Sequence, residues 1–304
     1  LIKMSLVAAV AVAGFSSTAT AQPLEEAIKN VDVSGSALYR YNDYGTDVKD
    51  TDASTTNYYK IATSLKSKVN DNITATVRVI AGSANGDKES LSTDTSDNNI
   101  DVSVSHANLT IKNDYATVVA GKQGLTTPWT VAIDADGNEQ TGTGVLALVP
   151  AGPVTVAAAY FNQTNLGYAQ ANISTLGLIS KAGIVSLDAW YIDLSSVLDS
   201  YTVGAKATIE GITADLRYTS TDFDANNTDN NLLNLKVSGK AGPVALWAQY
   251  AITDKDGGTT ALDNDAKTTI QGWNVTANGK ADLDLFGIGA SMDVMSGLNV
   301  ALNY

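Results

Sequence analysis

The sequence has 304 residues, of which 44% are hydrophobic, and its 32 acidic and 19 basic side chains give a net charge of −13. A surface that acidic repels phosphate backbones, so we expect no nucleic-acid partner. The chain contains no cysteine, which excludes disulfides and thiolate metal sites.

The first 21 residues have the pattern of a secretory signal peptide. Lys3 precedes an apolar stretch from Met4 to Phe15, and small residues then lead to Ala21. We predict cleavage after Ala21, which divides the chain into a signal peptide, residues 1–21, and one folded domain, residues 22–304. A membrane-spanning helix needs about 20 apolar residues, and neither this stretch nor any later one is that long.

Through most of the sequence after the signal peptide, apolar residues recur at every second position, which is the period of a strand whose two faces have different surroundings. Around residues 59–69, for example, Ile61 and Leu65 alternate with Lys60 and Lys66. Residues 70–72 (NDN) predict a tight hairpin to the next such segment. The same alternation returns in residues 201–209, 212–218, 233–237 and 244–252. Between residues 101 and 111 its phase slips, which predicts a bulge near His106.

The connections alternate between tight turns and long polar loops. Short connections are predicted at residues 113–114, 151–153, 211 and 241–243, and long ones at residues 43–55, 83–99, 124–144, 222–231 and 253–267. Short turns on one rim and long loops on the other are typical of outer-membrane barrels. We therefore predict an all-β fold, a transmembrane antiparallel β-barrel of about 16 strands.

A soluble β-sandwich is the alternative, because its strands alternate as well. Sandwich cores favour bulky aliphatic residues, whereas the apolar positions here include many Ala, Gly and Tyr. Aromatic residues near strand ends favour the barrel, where they form girdles at the lipid interfaces. They are Tyr39, Tyr41, Tyr58, Tyr59, Tyr160, Trp190, Tyr191, Tyr218, Trp247, Tyr250 and Trp273.

If the apolar positions face lipid, the opposite face lines a water-filled lumen with basic residues. This predicted basic wall consists of Arg40, Lys60, Lys66, Arg78, Lys206, Arg217 and Lys236. The long loop at residues 124–144 is predicted to fold inward as a constriction loop. Its candidate site residues are Trp129, Asp134, Asp136 and Glu139. Facing a basic wall, these acids would set a transverse field that selects ions; the alternative is that the charges only solvate a loop tip and a strand face.

Residues 134–139 (DADGNE) also match half of a calcium-binding loop, with oxygen side chains at positions one, three and five. The glycine stands at position four instead of six, and Val145 occupies position twelve instead of a glutamate. The run therefore predicts an oxygen-rich site that could hold a hard cation.

Two blocks of the sequence resemble the major outer membrane protein porins of Campylobacter and its relatives. The first is residues 23–35 (PLEEAIKNVDVSG), followed by 38–41 (LYRY). The second comprises residues 120–123 (AGKQ), 129–130 (WT), 132–134 (AID) and 142–144 (GTG), in the order of that family's constriction-loop region.

The resemblance implies an outer-membrane porin for ions and small hydrophilic solutes, without enzymatic activity. It also implies a homotrimer, cation preference, about 18 strands and Ca²⁺ near the constriction. Of the family's calcium ligands, only Asp134 can be placed here. The strand number leaves two interpretations open: the chain lacks its last strand, or the alternation that ends at Tyr304 is the closing strand.

Two rival functions remain to be distinguished. An outer-membrane hydrolase needs an activated nucleophile, and the single histidine, His106, follows Ser105 on a predicted strand, where neighbours alternate faces. An adhesin or structural surface barrel with a plugged lumen would have the same long polar loops, and only conductance separates it from a porin.

Overall fold

The computed structural model describes residues 31–44, 54–81, 89–91, 102–134, 137–167, 171–224, 229–272 and 275–304. The predicted signal peptide lies outside these residues, as do Asp136 and Trp273. Among the described residues, no helix is long and apolar enough to span a bilayer.

The described residues form eighteen strands. They are β1 (Val31–Tyr44), β2 (Ser54–Lys68), β3 (Ile73–Ala81), β4 (Glu89–Leu91), β5 (Val102–Lys112), β6 (Thr117–Gly124), β7 (Thr141–Ala151), β8 (Val154–Thr164), β9 (Ile173–Ala182), β10 (Val185–Leu194), β11 (Leu198–Ile209), β12 (Ile212–Phe223), β13 (Asn230–Ala241), β14 (Val244–Thr253), β15 (Gln271–Gly272), β16 (Val275–Thr276), β17 (Asp284–Met295) and β18 (Leu298–Asn303).

Fifteen of these strands follow one another in a single antiparallel sheet. The order is β1-β2-β3-β5 to β14-β17-β18, β4 pairs beside this path with β2, and β15 and β16 form a separate ribbon. Most of the strands from β5 to β17 have 8 to 12 residues. A transmembrane β-strand needs about 9 to 11 residues to cross a bilayer, so these lengths are suitable. Within the described residues β1 and β18 are the two outer edges of the sheet, so closure into a barrel and its final strand number stay predictions.

Tight turns join the strands along one rim, as the sequence predicted. The turn between β11 and β12 is representative: Ile209 pairs with Ile212, and the two residues between them, Glu210 and Gly211, have φ angles of 49° and 83°. Two positive φ angles are what a type I′ turn requires, and its twist matches that of the flanking strands. Since consecutive strands are antiparallel, β6 and β14, which precede the longer connections, end at the other rim.

The two faces of the sheet have opposite chemistry. Thr202 and Thr219 on one face are fully buried, whereas Leu178, Val203 and Ile288 on the other are 48%, 48% and 43% exposed. A soluble sandwich would bury its apolar face and expose its polar one. The inverted burial is that of a sheet whose apolar face meets lipid. We call the polar face the inner face and the apolar face the outer face.

The predicted bulge lies at Ser105 in β5. Arg78 pairs with His106 and Val79 pairs with Val104, which leaves Ser105 without a cross-strand partner. The extra residue reverses the alternation on either side of it, which explains the phase slip in the sequence.

Two tryptophans that were predicted to join the aromatic girdles belong instead to the inner face. Trp190 lies on the same face as Ile192 and packs against the buried cluster that contains it. Trp247 shares its face with the buried Gln249 and Ala251. The girdle prediction was therefore wrong for both, because proximity to a strand end does not determine which face a residue occupies.

Candidate functional site

Residues 125–140 connect β6 to β7, and we call them the crossing loop; their described parts, 125–134 and 137–140, lie over the inner face. Near the start of the loop, Trp129 is 1% exposed and packs in an apolar cluster with Leu125, Phe161, Ile192 and Leu198. Its indole Nε1 donates a hydrogen bond of 2.9 Å to Ser200 Oγ on β11. Trp129 is therefore an anchor on the wall, and its ring does not border an opening.

The other end of the crossing loop is held by charge. The Glu139 side chain is 1% exposed, and its carboxylate receives hydrogen bonds of 2.7 to 3.1 Å from Arg78 Nε and Nη2 on β3. Lys60 Nζ on β2 lies 3.4 Å from the same carboxylate and also donates to the Gly137 carbonyl oxygen at 2.5 Å. Glu139 thus contacts the predicted basic wall directly and does not face it across an opening.

Glu139 remains ionised although it is buried. Burial raises its pKa, but the hydrogen bonds from Arg78 and Ser105 and the positive charge of Lys60 outweigh this and hold the pKa below its ordinary value. Burying an isolated carboxylate is costly, whereas burying one with two cations and several donors is not. The contact therefore stabilises the charged, attached form of the loop.

The two anchors attach the crossing loop to strands that are far apart in the sheet. Ser200 and Lys60 lie on β11 and β2, eight strands apart in the sheet order, which is about 38 Å along a flat sheet. Trp129 and Ile133 are four residues apart, at most about 14 Å, and Ile133 forms a bridge with Glu139, which adds about 5 Å. The backbone between the anchors is shorter than that flat-sheet distance, and long side chains make up the rest, which indicates a concave inner face. We call the space over this face the lumen.

Ser105 and His106 lie beside the Glu139 anchor. Ser105 Oγ is 3.0 Å from His106 Nδ1, and Glu139 Oε2 is 4.0 Å from the same nitrogen. Neighbours on a regular strand alternate faces, but the bulge at Ser105 brings these two side chains together. In a serine-histidine-acid triad, however, serine and acid occupy opposite ring nitrogens, whereas here both approach Nδ1. The arrangement therefore lacks the geometry of a proton relay.

Asp134 lies in the middle of the crossing loop and is held by Asn138. Its Oδ1 accepts a hydrogen bond of 2.8 Å from the Asn138 backbone, and its Oδ2 accepts one of 2.9 Å from the Asn138 amide. Within the part of the chain that the structure describes, no three His, Cys, Asp or Glu residues lie together as metal ligands would. The described residues therefore do not provide a complete calcium site, and Ca²⁺ binding at Asp134 stays a prediction.

A second segment, residues 254–270, also folds into the lumen and joins the crossing loop. We call it the second inward loop. The Trp129 carbonyl oxygen accepts hydrogen bonds of 2.9 and 3.1 Å from the backbone of Leu262 and Asp263, and the Pro128 carbonyl accepts one of 3.1 Å from Thr268. Gln140 Nε2 donates to the Asp263 carboxylate. The sequence indicated a long loop here but gave no sign of its direction.

The junction of the two loops concentrates negative charge. Burial raises the pKa of Asp263, and the nearby carboxylates of Asp134 and Asp265 add to that effect. Two hydrogen bonds, from the Asp265 backbone and from Gln140, oppose it. A cation near this junction would therefore encounter several carboxylates, only one of which, Asp134, was among the sequence candidates.

The predicted basic wall divides into groups within the lumen. Lys60 and Arg78 hold Glu139, and Lys66 shares their face on β2 but is exposed. Arg40 lies on the same face of the sheet, because Leu38, two positions before it, pairs with Lys60. Arg217 is 5% exposed and is paired with Asp188 at 2.8 Å, while Lys206 lies 3.8 Å from Asp215. Lys236 stands 5.6 Å from the ring centroid of Trp247.

A sequence model described as the Campylobacter major outer membrane protein matches residues 1–304. No curated protein matches the chain. Its fold is similar to that of OccAB1 from Acinetobacter baumannii, with a TM-score of 0.67, 15% identity, and coverage of 89% of this chain and 79% of that chain. The corresponding values are 0.68, 12%, 87% and 80% for OccK8 (OprE), and 0.68, 14%, 90% and 80% for the outer membrane protein opdK, both from Pseudomonas aeruginosa. At such low identity these likenesses show the fold alone.

Proposed function

Because the chain belongs to the Campylobacter major outer membrane protein family and is thus an outer-membrane porin, we propose that its lumen lets ions and small hydrophilic solutes diffuse passively, with a preference for cations. The observation that carries this proposal is the opposite chemistry of the two faces. Thr202, Thr219, Arg217 and Asn234 face the lumen, while aliphatic residues face outward. Buried polar groups of this kind need water or each other, and side chains alone fill only small barrels.

The distribution of charge around the crossing loop supports cation preference. Glu139 offsets part of the charge of Arg78 and Lys60, so this part of the basic wall presents less positive charge to passing ions. Asp134, Asp263 and Asp265 lie at the loop junction. Rings of acidic side chains at a narrow point favour cations.

Currents across planar bilayers test the proposal directly. Purified protein should give stepwise currents, and under a salt gradient the reversal potential should have the sign of a cation-preferring channel. Replacing Asp134 and Asp136 together by Asn should shift that potential toward zero, and Asp114→Asn, in an exposed turn at the opposite rim, is the matched control.

Each outcome decides one part of the proposal. Silence from wild-type protein would contradict the porin function and favour the plugged adhesin. Conduction with an unchanged reversal potential in the double variant would remove the crossing loop from the account of selectivity. Sizing in detergent would test the homotrimer, and adding Ca²⁺ to chelator-treated protein during calorimetry would test calcium binding; both rest on the family resemblance.

A further inference from the structure

A chamber lies between the second inward loop and the inner face of the strands from β9 to β14. Its volume is about 490 Å³, within the range of about 300 to 1,000 Å³ typical of small-molecule sites. The walls include the side chains of Arg217, Asn234, Lys236 and Gln249, and the loop contributes Asp265 and Lys267. The proposed function uses the lumen as a passage only and gives this chamber no role.

The chamber has more positive than negative charge, although the protein as a whole carries −13. Its walls contain four cationic side chains and three carboxylates. Two of the cations, Arg217 and Lys206, are paired with Asp188 and Asp215. The other two, Lys236 and Lys267, form no ion pair with a carboxylate in the described part of the chain.

Two of the cations that face the chamber, Arg217 and Lys236, are oriented by neighbouring side chains. Arg217 Nη1 donates to Thr202 Oγ1 at 3.2 Å and Nη2 donates to Asp188 Oδ1 at 2.8 Å. Its guanidinium occupies the position that a Cβ at Gly204 would fill, so any larger residue there would displace it. Lys236 is oriented by the face of Trp247, a contact that attracts a cation without neutralising it. Positions fixed before a ligand arrives lower the entropic cost of binding it.

We propose that this chamber is a transient binding site for small carboxylates on their way through the lumen. Lys236 and Lys267 bind the carboxylate, because they are the cations without an anionic partner. The amides of Asn234 and Gln249, which are only 8% exposed, supply hydrogen bonds to the rest of the solute. This inference rests on the proposed function, since it assumes that solutes enter the lumen.

Succinate is the probe for the first test. Added on one side of a bilayer that contains the wild-type protein in KCl, it should reduce the current in a saturable way. For the same block, the double variant Lys236→Met and Lys267→Met should need a succinate concentration about tenfold higher, because it loses the hydrogen bonds between the two ammonium groups and the carboxylate. The matched control replaces Lys112 and Lys181, two exposed lysines outside the chamber and outside both inward loops, by Met, and should behave like the wild type.

Succinamide, the uncharged analogue of succinate, separates recognition of the carboxylate from simple obstruction, and we expect it to have no effect. Equal block by both solutes, or equal block of the wild type and the Lys236/Lys267 variant, would overturn the inference. Calorimetric titration of succinate into detergent-solubilised protein gives a readout that does not depend on current. Binding should be saturable in the wild type and about tenfold weaker in the double variant.

The two proposals can fail separately. A wild-type protein that gives no current but binds succinate through Lys236 and Lys267 would contradict the porin function and still support the carboxylate-binding site. A wild-type protein that conducts but neither binds succinate nor is blocked by it would overturn the site alone.

Discussion

The two ends of the crossing loop are attached by different forces. At one end, Trp129 is buried in an apolar cluster and forms one hydrogen bond to Ser200. At the other end, Glu139 is buried among Arg78, Lys60 and Ser105. Burial of apolar area does not depend on pH and depends little on salt, whereas a buried ion pair depends on the ionisation of both partners. Substitutions or pH changes that weaken one anchor and not the other therefore show how each anchor contributes to the shape of the lumen.

The largest effect should follow removal of the apolar anchor. Trp129→Ala would leave a cavity among Leu125, Phe161 and Ile192 and should cost about 3 to 5 kcal/mol of stability. Since Trp129 also holds the second inward loop through its carbonyl, both loops should loosen and the single-channel conductance should rise. Thermal unfolding in detergent and bilayer recordings would measure both changes. A conductance equal to that of the wild type would contradict the role of the apolar anchor.

A somewhat smaller effect should follow loss of the charged anchor. Glu139→Gln leaves Arg78 and Lys60 without their buried counter-charge, at a cost on the order of 3 kcal/mol. The loop should detach from β2 and β3 but stay attached at Trp129, so conductance should rise less than in Trp129→Ala. Glu210→Gln, in the exposed turn between β11 and β12, is the matched control. Conductance that rises equally in the two glutamine variants would argue against a specific anchor.

Acid should weaken the charged anchor alone. The pKa of Glu139 is lowered in the folded protein, so its contribution to stability is complete above the ordinary glutamate pKa of about 4.3. That contribution is lost as the pH falls through the lower folded value. Conductance should therefore be constant from neutral pH to about pH 5 and should change below pH 4. Glu139→Gln should lack this transition; if it persists, another group causes it.

The smallest effect should come from the single hydrogen bond at the apolar anchor. Ser200→Ala removes the acceptor of the Trp129 indole and should cost about 1 kcal/mol, while the apolar contacts remain. Trp129→Phe also loses this hydrogen bond, so it should lower the stability as Ser200→Ala does. A loss in Ser200→Ala as large as in Trp129→Ala would show that the hydrogen bond, and not packing, holds this end.

Local sequence was sufficient for the strands, the tight turns and the orientation of most side chains, although not for Trp190 and Trp247, which lie on the inner face. Period two placed Tyr201 and Val203 on the outer face and Thr202 on the inner face, and the reversal of phase located the bulge. These features depend on residues that are close in sequence. The matching sequence blocks led to the correct family.

Contacts across the lumen could not be predicted in the same way. Trp129 and Glu139 were selected as candidates, but their partners are 71 residues away at Ser200 and 61 residues away at Arg78. These contacts depend on the curvature of the whole sheet, which no local pattern records. The same holds for the second inward loop and for Lys267, which lines the chamber only because that loop folds inward.

The most direct test of the account compares two neighbouring residues on β13, since the native chain has no cysteine. Lys236 is exposed on the inner face, and Leu235 is 38% exposed on the outer face. Lys236→Cys should react with a charged methanethiosulfonate reagent and reduce the current, while Leu235→Cys should leave the current unchanged. Equal effects at both positions, or an effect only at Leu235→Cys, would contradict a water-filled lumen enclosed by a sheet whose other face meets lipid.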